Sequence, residues 1–308
     1  MIKIITGTSC VKLSEEVSKL LHIKLSKTEV VRFDNSETRV RIVDDVKESD
    51  VYIIQSASNP TDVNYMELFF SGDALKRSEA KKITAIIPYL GYARQNIQHR
   101  SGENVSANVI VKFLEVVGFD EVILFDVHDE ATLGIFSIPT VHLSALGQLA
   151  ENILRFLKSD SSEVVVATPD QAGVERARFF SQTLFKNKSE DIVVVEKKRD
   201  LDKLHQSKAV EVFGDVKNKI VILVDDIVTS GNTLINAANL VIKNGAKKVY
   251  AAVVHADFSP DAVSKIDSSK IEKLFTTNTI TLKDNKTSNK IEVMSVAEII
   301  SKEIKKRI

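Results

Sequence analysis

The stretch "VILVDDIVTSGNTL", Val221 to Leu234, runs four apolar residues straight into Asp225 and Asp226. After Ile227 and Val228 come two hydroxyl residues, Gly231, Asn232 and a third hydroxyl residue. A continuous apolar run fits a strand covered on both faces. Leu234, Ala237, Ala238, Val241 and Ile242 then fall at helical spacing, and Gly245 supplies a stop. The segment therefore reads as strand, turn and helix, with an acid pair at the carboxyl end of the strand. Successive backbone N–H groups in such a turn form a nest, and the helix dipole adds partial positive charge. That environment suits a phosphate monoester. Thr229, Ser230 and Thr233 add hydroxyl donors. Asp225 and Asp226 would face a sugar, because carboxylates accept hydrogen bonds from vicinal hydroxyls. A lone acid pair is more often a capped turn without a ligand. The apolar run before it and the hydroxyl-glycine loop after it favour a ribose-phosphate site.

The same grammar recurs along the chain. "VYIIQS" from Val51, "ITAIIPYL" from Ile83, "EVILFDVHD" from Glu121, "EVVVATPD" from Glu163, "IVVVEKKRD" from Ile192, "IVILVDD" from Ile220 and "VYAAVVHADF" from Val249 all read as strands. Helical patterns separate them, as in "ANVIVKFLEVVG" from Ala107 to Gly118. Such alternation predicts an α/β fold with mostly parallel sheets. A weak duplication shows in "KKITAIIPYLGYARQ" and "KKVYAAVVHADFS", and again in "LFDVHDE" and "LVDDIVTSG". Two half-chains of similar architecture follow, joined near residues 142–150.

Composition narrows the class. The 308 residues suffice for two domains, and 44% of them are hydrophobic, enough to build cores. Lys+Arg and Asp+Glu both number 42, so the formal charge is zero and a general nucleic-acid coat is disfavoured. Cys10 is the single cysteine, which excludes an internal disulfide and a cysteine-type zinc site. No run reaches the roughly 18 apolar residues of a membrane span, and the start lacks a long apolar leader. The expectation is a cytoplasmic protein with no nucleic-acid or membrane partner.

In open α/β sheets ligands sit at the carboxyl ends of strands. Arg94 and Gln95, Asp126 and His128, Asp170, Lys197 and Arg199, and Asp225 and Asp226 all gather at such ends. Together with "RFDNSET" (Arg32–Thr38), "YLGYARQ" (Tyr89–Gln95), "FDVHD" (Phe125–Asp129), "TPDQAGVERAR" (Thr168–Arg178) and "EKKRD" (Glu196–Asp200), the Val221–Leu234 stretch resembles the ribose-phosphate pyrophosphokinase family. The segments stand in that family's order and spacing over essentially the whole chain. The resemblance implies two tandem phosphoribosyltransferase-like domains, each a mostly parallel sheet flanked by helices. Residues 1–145 would be the ATP side and 146–308 the ribose 5-phosphate side, with the last helix a candidate to pack back on the N-terminal domain.

The resemblance also implies roles. Phe33, Asn35 and Glu37 match the loop that holds adenine in a neighbouring subunit, so a homo-oligomer, at least a dimer, is expected. Arg94 and Gln95 match an ATP-contacting pair. His128 matches a histidine near the ATP phosphates and Mg²⁺, and Asp170 a carboxylate placed for Mg²⁺. Lys197 and Arg199 match the basic pair of a catalytic loop. They precede "DLDKLHQSK" (Asp200–Lys208), a polar segment suited to a lid. Asp225, Asp226, Thr229, Ser230, Gly231, Asn232 and Thr233 match the ribose 5-phosphate loop. His22, His99, His142, His205 and His255 match no catalytic position.

The implied reaction moves the β,γ-diphosphoryl group of Mg-ATP to the C1 hydroxyl of ribose 5-phosphate, giving 5-phosphoribosyl 1-diphosphate (PRPP) and AMP. A phosphoribosyltransferase that consumes PRPP is an alternative, although it leaves the matches in residues 30–130 unexplained. A non-catalytic regulatory paralogue is another, disfavoured by the uninterrupted "EKKRD". Three positions depart from the family pattern. Thr229 stands where a third Asp is frequent, Asn232 where Gly is common, and Asn96 where an acid is often found. In "RSGENVS" (Arg100–Ser106), Gly102 and Glu103 replace a common basic residue, and the C-terminal "ISKEIKKRI" carries no aromatic residue. Both features predict activity without added inorganic phosphate. Arg100, Lys302, Lys305, Lys306 and Arg307 are the residues that could build a different anion site.

Overall fold

The computed structural model describes residues 1–157, 163–186, 191–198, 209–283 and 288–307. They form two compact units. One comprises Met1–Ser144, Asn278–Thr281 and Ser295–Ile308, and the other Ala145–Thr277 and Leu282–Met294.

The first unit contains β1 (Ile2–Thr6), α1 (Val11–Leu21), β2 (Thr28–Arg32), β3 (Thr38–Ile42), β4 (Asp50–Ile54), α2 (Thr61–Arg77), β5 (Lys82–Ile87), α3 (Ser106–Val117), β6 (Glu121–Phe125) and β7 (Thr140–Leu143). Five strands form one sheet in the order β1-β4-β5-β6-β7, with every neighbour parallel. The central strands are buried almost throughout, which is why "ITAII" and "VILF" are nearly continuous apolar runs. Ile53, Leu68, Ile83, Ala85, Leu114 and Leu124 share one core between sheet and helices. β2 and β3 pair antiparallel as a separate hairpin, and their half-exposed pattern suits a two-stranded projection.

The second unit contains α4 (Leu146–Leu157), β8 (Val164–Thr168), α5 (Val174–Leu184), β9 (Val193–Lys198), β10 (Ala209–Phe213), β11 (Ile220–Val228), α6 (Asn232–Lys243), β12 (Lys248–Ala256), α7 (Ala262–Ser268), β13 (Ile271–Thr277) and β14 (Ile291–Met294). Its seven strands run β10-β9-β8-β11-β12-β13-β14, and only the β9–β10 pair is antiparallel. Val221, Leu223, Leu234, Ala238, Val241, Val249 and Leu274 build its core. The last helix, α8 (Ala297–Lys305), belongs to the first unit, where it packs on α1. The Arg307 guanidinium ties the end of the chain to Glu121 at the start of β6.

The two sheets share a topology. The order β1-β4-β5-β6-β7 maps onto β8-β11-β12-β13-β14, and each unit adds one antiparallel hairpin between the first two of these strands: β2–β3 and β9–β10. Register sharpens the match. Asp50 pairs with Lys82, and Ile220 with Lys248, each lysine being the second of a "KK" pair. Counting five and six residues on, Gln55 stands where Asp225 stands and Ser56 where Asp226 stands. The duplication legible in the two "KK" segments is therefore β5 against β12. The likeness of "LFDVHDE" to "LVDDIVTSG" is not a duplication, because β6 corresponds to β13 and β11 to β4.

Candidate active site

β11 outlasts one of its neighbours. Its pairing with β8 ends at Leu223↔Ala167, while its pairing with β12 continues to Val228↔Ala256. Asp225 and Asp226 thus lie inside β11 rather than after it, on the length of strand that β8 has left. The space on that side belongs to the turn after β8 and the start of α5. Arg176 on α5 reaches in from there. Its Nη1 lies 3.5 Å from Asp225 Oδ1 and 3.3 Å from Asp226 Oδ1. All three side chains are largely buried, at 15%, 15% and 4% exposure for Arg176, Asp225 and Asp226. Asp225 Oδ1 also accepts the Asp226 backbone N–H at 2.9 Å.

Two adjacent buried carboxylates repel each other, and one guanidinium offsets only part of that. Burial and the neighbouring Asp226 push the Asp225 carboxyl well above the usual carboxylate range, against the pull of Arg176. The charge of Asp170 adds to the upward push. Asp170 is exposed at the end of β8, where its Oδ1 accepts the Gly173 N–H at 3.1 Å and caps the turn that leads into α5. Arg176 was not singled out from the sequence. Its signal was hidden because its carboxylate partners lie about fifty positions away.

Beyond the acid pair, Gly231 holds φ +77° and starts α6. That left-handed conformation suits glycine and disfavours other residues. No side chain caps α6 at its N-cap, and its first turn carries no acidic residue. Thr229 and Ser230 are half-buried and Asn232 and Thr233 exposed, with the Ser230 hydroxyl accepting the Asn232 N–H at 3.4 Å. The loop is braced from behind by Ser259, whose N–H donates to the Thr229 carbonyl. Open backbone donors at a positive helix end, hydroxyls beside them and two carboxylates on the strand leading in can together hold an anion and a polyol.

In the first unit the expected ATP residues fall at three places. Phe33, Asn35 and Glu37 sit exposed at the tip of the β2–β3 hairpin. Asn35 Oδ1 accepts the Glu37 N–H at 3.2 Å, and the Arg39 guanidinium lies 5.8 Å from the Phe33 ring centre. Arg94 and Gln95 follow β5 in a turn made possible by Gly91. A Cβ there would stand 2.4 Å from the Ala57 carbonyl oxygen. Arg94 is exposed. His128 is exposed beyond β6. The last two places are joined by Asn96, whose amide donates to Asp129 Oδ2 at 2.5 Å. An acid at position 96 would meet that carboxylate with like charge, so Asn96 suits its neighbour. The backbone of Lys197 lies in β9 opposite Val210. The side chain of Lys197 and all of Arg199 and Asp200–Lys208 lie outside the described residues.

Comparison with known proteins agrees with this geometry. Residues 2–118 match the family model described as the N-terminal domain of ribose phosphate pyrophosphokinase, and residues 181–308 match the phosphoribosyl synthetase-associated domain. The chain is 39% identical over 300 residues to ribose-phosphate pyrophosphokinase of Clostridium perfringens, covering 97% of this chain and 92% of that protein. It is 36% identical over 305 residues to the Aquifex aeolicus protein of the same name, covering 99% and 95%. The crystal structure of phosphoribosylpyrophosphate synthetase from Mycobacterium smegmatis superposes with a TM-score of 0.91 at 30% identity, covering 99% of this chain and 97% of that one. A match of this extent, running through both units and their strand-end loops, makes the chain a member of the ribose-phosphate pyrophosphokinase family.

Proposed function

We propose that the protein is a ribose-phosphate diphosphokinase: the C1 hydroxyl of ribose 5-phosphate attacks the β-phosphorus of ATP, PRPP forms and AMP leaves. The observation that carries this reading is the acid pair on the free length of β11, set beside an uncapped α6. Asp225 and Asp226 accept hydrogen bonds from the ribose hydroxyls. Those donors favour the ionised pair and offset the burial and repulsion that raise the Asp225 pKa. Thr229, Ser230, Gly231, Asn232 and Thr233 hold the 5-phosphate, mainly through backbone N–H groups. Phe33 covers the adenine of a neighbouring subunit, with Asn35 and Glu37 reading its edge. Arg94, Gln95 and His128 face the ATP phosphates. Lys197 and Arg199 stabilise charge on the moving group, so the chemistry is positioning and electrostatics with no covalent intermediate.

Magnesium is the metal the family resemblance implies; the exposed Asp170 carboxylate suits it, and His128, a nitrogen donor, is assigned to it on the resemblance alone. Among the described residues no group of three His, Cys, Asp or Glu side chains converges on one point. Magnesium typically keeps several waters and binds one or two carboxylates plus substrate phosphates, so it does not need such a cage. Asp170 is exposed, and only its Oδ1 takes part in the turn cap. Asp170 and His128 are the residues assigned to the ion. When bound, Mg²⁺ neutralises charge on the phosphate oxygens.

A homo-oligomer of at least two copies follows from the Phe33 role. α2 exposes Met66 and Phe70 one turn apart, and α3 exposes Val109, Phe113 and Val116 along one stripe. The Phe69–Phe113 ring contact joins the two helices, and β3 packs on α2. This apolar face, on a helix that also packs against the hairpin carrying Phe33, is the surface assigned to the second copy. No helix among the described residues is long and apolar enough to cross a membrane. We place the protein in the cytoplasm, without a nucleic-acid partner.

The deciding experiment supplies ATP, ribose 5-phosphate and MgCl₂ to the purified chain and follows AMP and PRPP. Both should appear, each dependent on ribose 5-phosphate. ADP in place of AMP, or activity only after a second protein is added, would overturn the assignment.

A further inference from the structure

Three consecutive residues at the end of β7 each hold the loop that precedes His128. His142 Nε2 accepts the Val127 backbone N–H at 3.2 Å. The Leu143 carbonyl accepts the Asp126 N–H at 3.0 Å, and the Ser144 hydroxyl donates to Asp126 Oδ1 at 2.6 Å. Asp126 needs such holding, because its φ of +33° lies in a region that non-glycine residues rarely occupy. His128 is the next residue but one.

The role of His142 depends on its tautomer, which its neighbours define. Nδ1 lies 3.8 Å from Glu130 Oε1 in the turn Glu130–Ile135. A proton on Nδ1 facing that carboxylate leaves Nε2 as a lone-pair acceptor for Val127. Burial lowers the His142 pKa below its ordinary 6.5, against the pull of Glu130. The neutral acceptor form is therefore the one present at neutral pH. A half-buried histidine that merely satisfies a stray N–H would be unremarkable. Here the N–H belongs to the residue before His128, and the two residues after His142 fix the residue before that.

We propose that His142 is a positioning residue for His128: its imidazole, acting as an acceptor, fixes the backbone at Val127 and so aims the side chain that faces the ATP phosphates. The activity readout rests on the diphosphoryl-transfer reading, whereas the contact itself does not. His142→Ala removes the acceptor. His142→Gln places an amide oxygen where Nε2 stands and cannot titrate. The full chain and both variants are compared by Val127 amide exchange and by kcat and KM for each substrate. For His142→Ala, Val127 exchange should quicken and kcat/KM for ATP should fall, each about tenfold, while KM for ribose 5-phosphate stays within about twofold. His142→Gln should recover both to within about threefold. Unchanged Val127 exchange in His142→Ala sinks the proposal. So does an equal loss towards both substrates, or a glutamine variant as impaired as the alanine one at the same melting temperature. If the alanine variant does not fold, His142→Met, which fills the space with a very weak acceptor, takes its place against His142→Gln. If the unaltered protein forms no PRPP, the functional reading falls, and Val127 exchange still decides the contact.

Discussion

The β4–α2 and β11–α6 connections occupy the same place in two copies of one topology, yet their chemistry is opposite. In the first unit the positions after the strand are Gln55 and Ser56, both fully buried and closed upon their own unit. Gln55 Oε1 accepts the Ser9 N–H and hydroxyl at 3.1 and 2.7 Å, and the Ser56 hydroxyl donates to the Thr279 carbonyl at 2.6 Å. The first turn of α2 carries its own carboxylate, Asp62, at the positive helix end. In the second unit the same positions hold Asp225 and Asp226, in mutual repulsion and only partly offset by Arg176. The α6 first turn has no acid. One scaffold thus yields a neutral connection in one copy and a charged, mutually repelling one in the other. Hydroxyl donors or a cation brought by a ligand would relieve that repulsion, which is what a binding site requires.

The comparison breaks most severely at Arg176. Removing one member of a buried ion cluster leaves uncompensated charge, at a cost of about 3–5 kcal/mol. Arg176→Met should therefore lose about that much stability in urea titrations at neutral pH. Lowering the pH should restore part of it, because protonation relieves the carboxylates. Equal stability of Arg176→Met and the unaltered protein at all pH values would remove the cluster from the account.

Asp225→Asn separates function from stability. The folded state raises the Asp225 pKa above its ordinary 3.8, so the ionised group costs stability above that raised value. Below 3.8 the group is protonated folded and unfolded, and the cost is absent. Asp225→Asn should consequently melt higher than the unaltered protein at neutral pH, and the gain should vanish as pH falls below that ordinary value. Ribose 5-phosphate should bind roughly tenfold to a hundredfold more weakly, the worth of one hydrogen bond to a charged group. A variant that melts lower at neutral pH, or binds normally, would contradict the reading.

Gly231→Ala tests the loop backbone. Forcing a side chain to φ +77° costs about 1 kcal/mol, and the new Cβ meets Ile266 at 3.4 Å. Calorimetry should show that loss together with a several-fold rise in KM for ribose 5-phosphate. Ser56→Ala, at the matching place in the first unit, should cost about 1 kcal/mol of stability and leave that KM within about twofold. A KM effect from Ser56→Ala would mean that the two connections are not divided in function. The smallest expected effect is none: adding inorganic phosphate should not raise activity. Glu103 holds the turn at residues 99–103 by accepting two backbone N–H groups, while Arg307 and Lys306 are paired with Glu121 and Glu303. Activity that appears only after phosphate is added would reveal an anion site elsewhere.

Much of this was legible in the residues. Central strands announce themselves, since burial on both faces leaves few polar positions, and all seven strands named from the sequence lie in the two sheets as β4, β5, β6, β8, β9, β11 and β12. The acid pair, the hydroxyl loop and Gly231 are local in sequence and were readable as one unit. The edge strands β1, β7 and β14 and the β2–β3 hairpin gave weaker signals, because shorter or half-exposed strands carry fewer apolar residues.

What the sequence by itself determined is therefore the alternation of elements and the chemistry at strand ends, because both depend on near neighbours along the chain. Only the tertiary structure decided which partners those ends meet. Arg176 finds Asp225 and Asp226 because β8 stops where β11 continues. Asn96 meets Asp129, and His142 meets Val127, because parallel pairing brings the ends of successive strands together. Residues 278–281 return to the first unit, where Thr279 closes on Ser56. Each of these contacts joins residues at least fifteen positions apart, and no local pattern encodes which distant side chain a pleated sheet will set beside another.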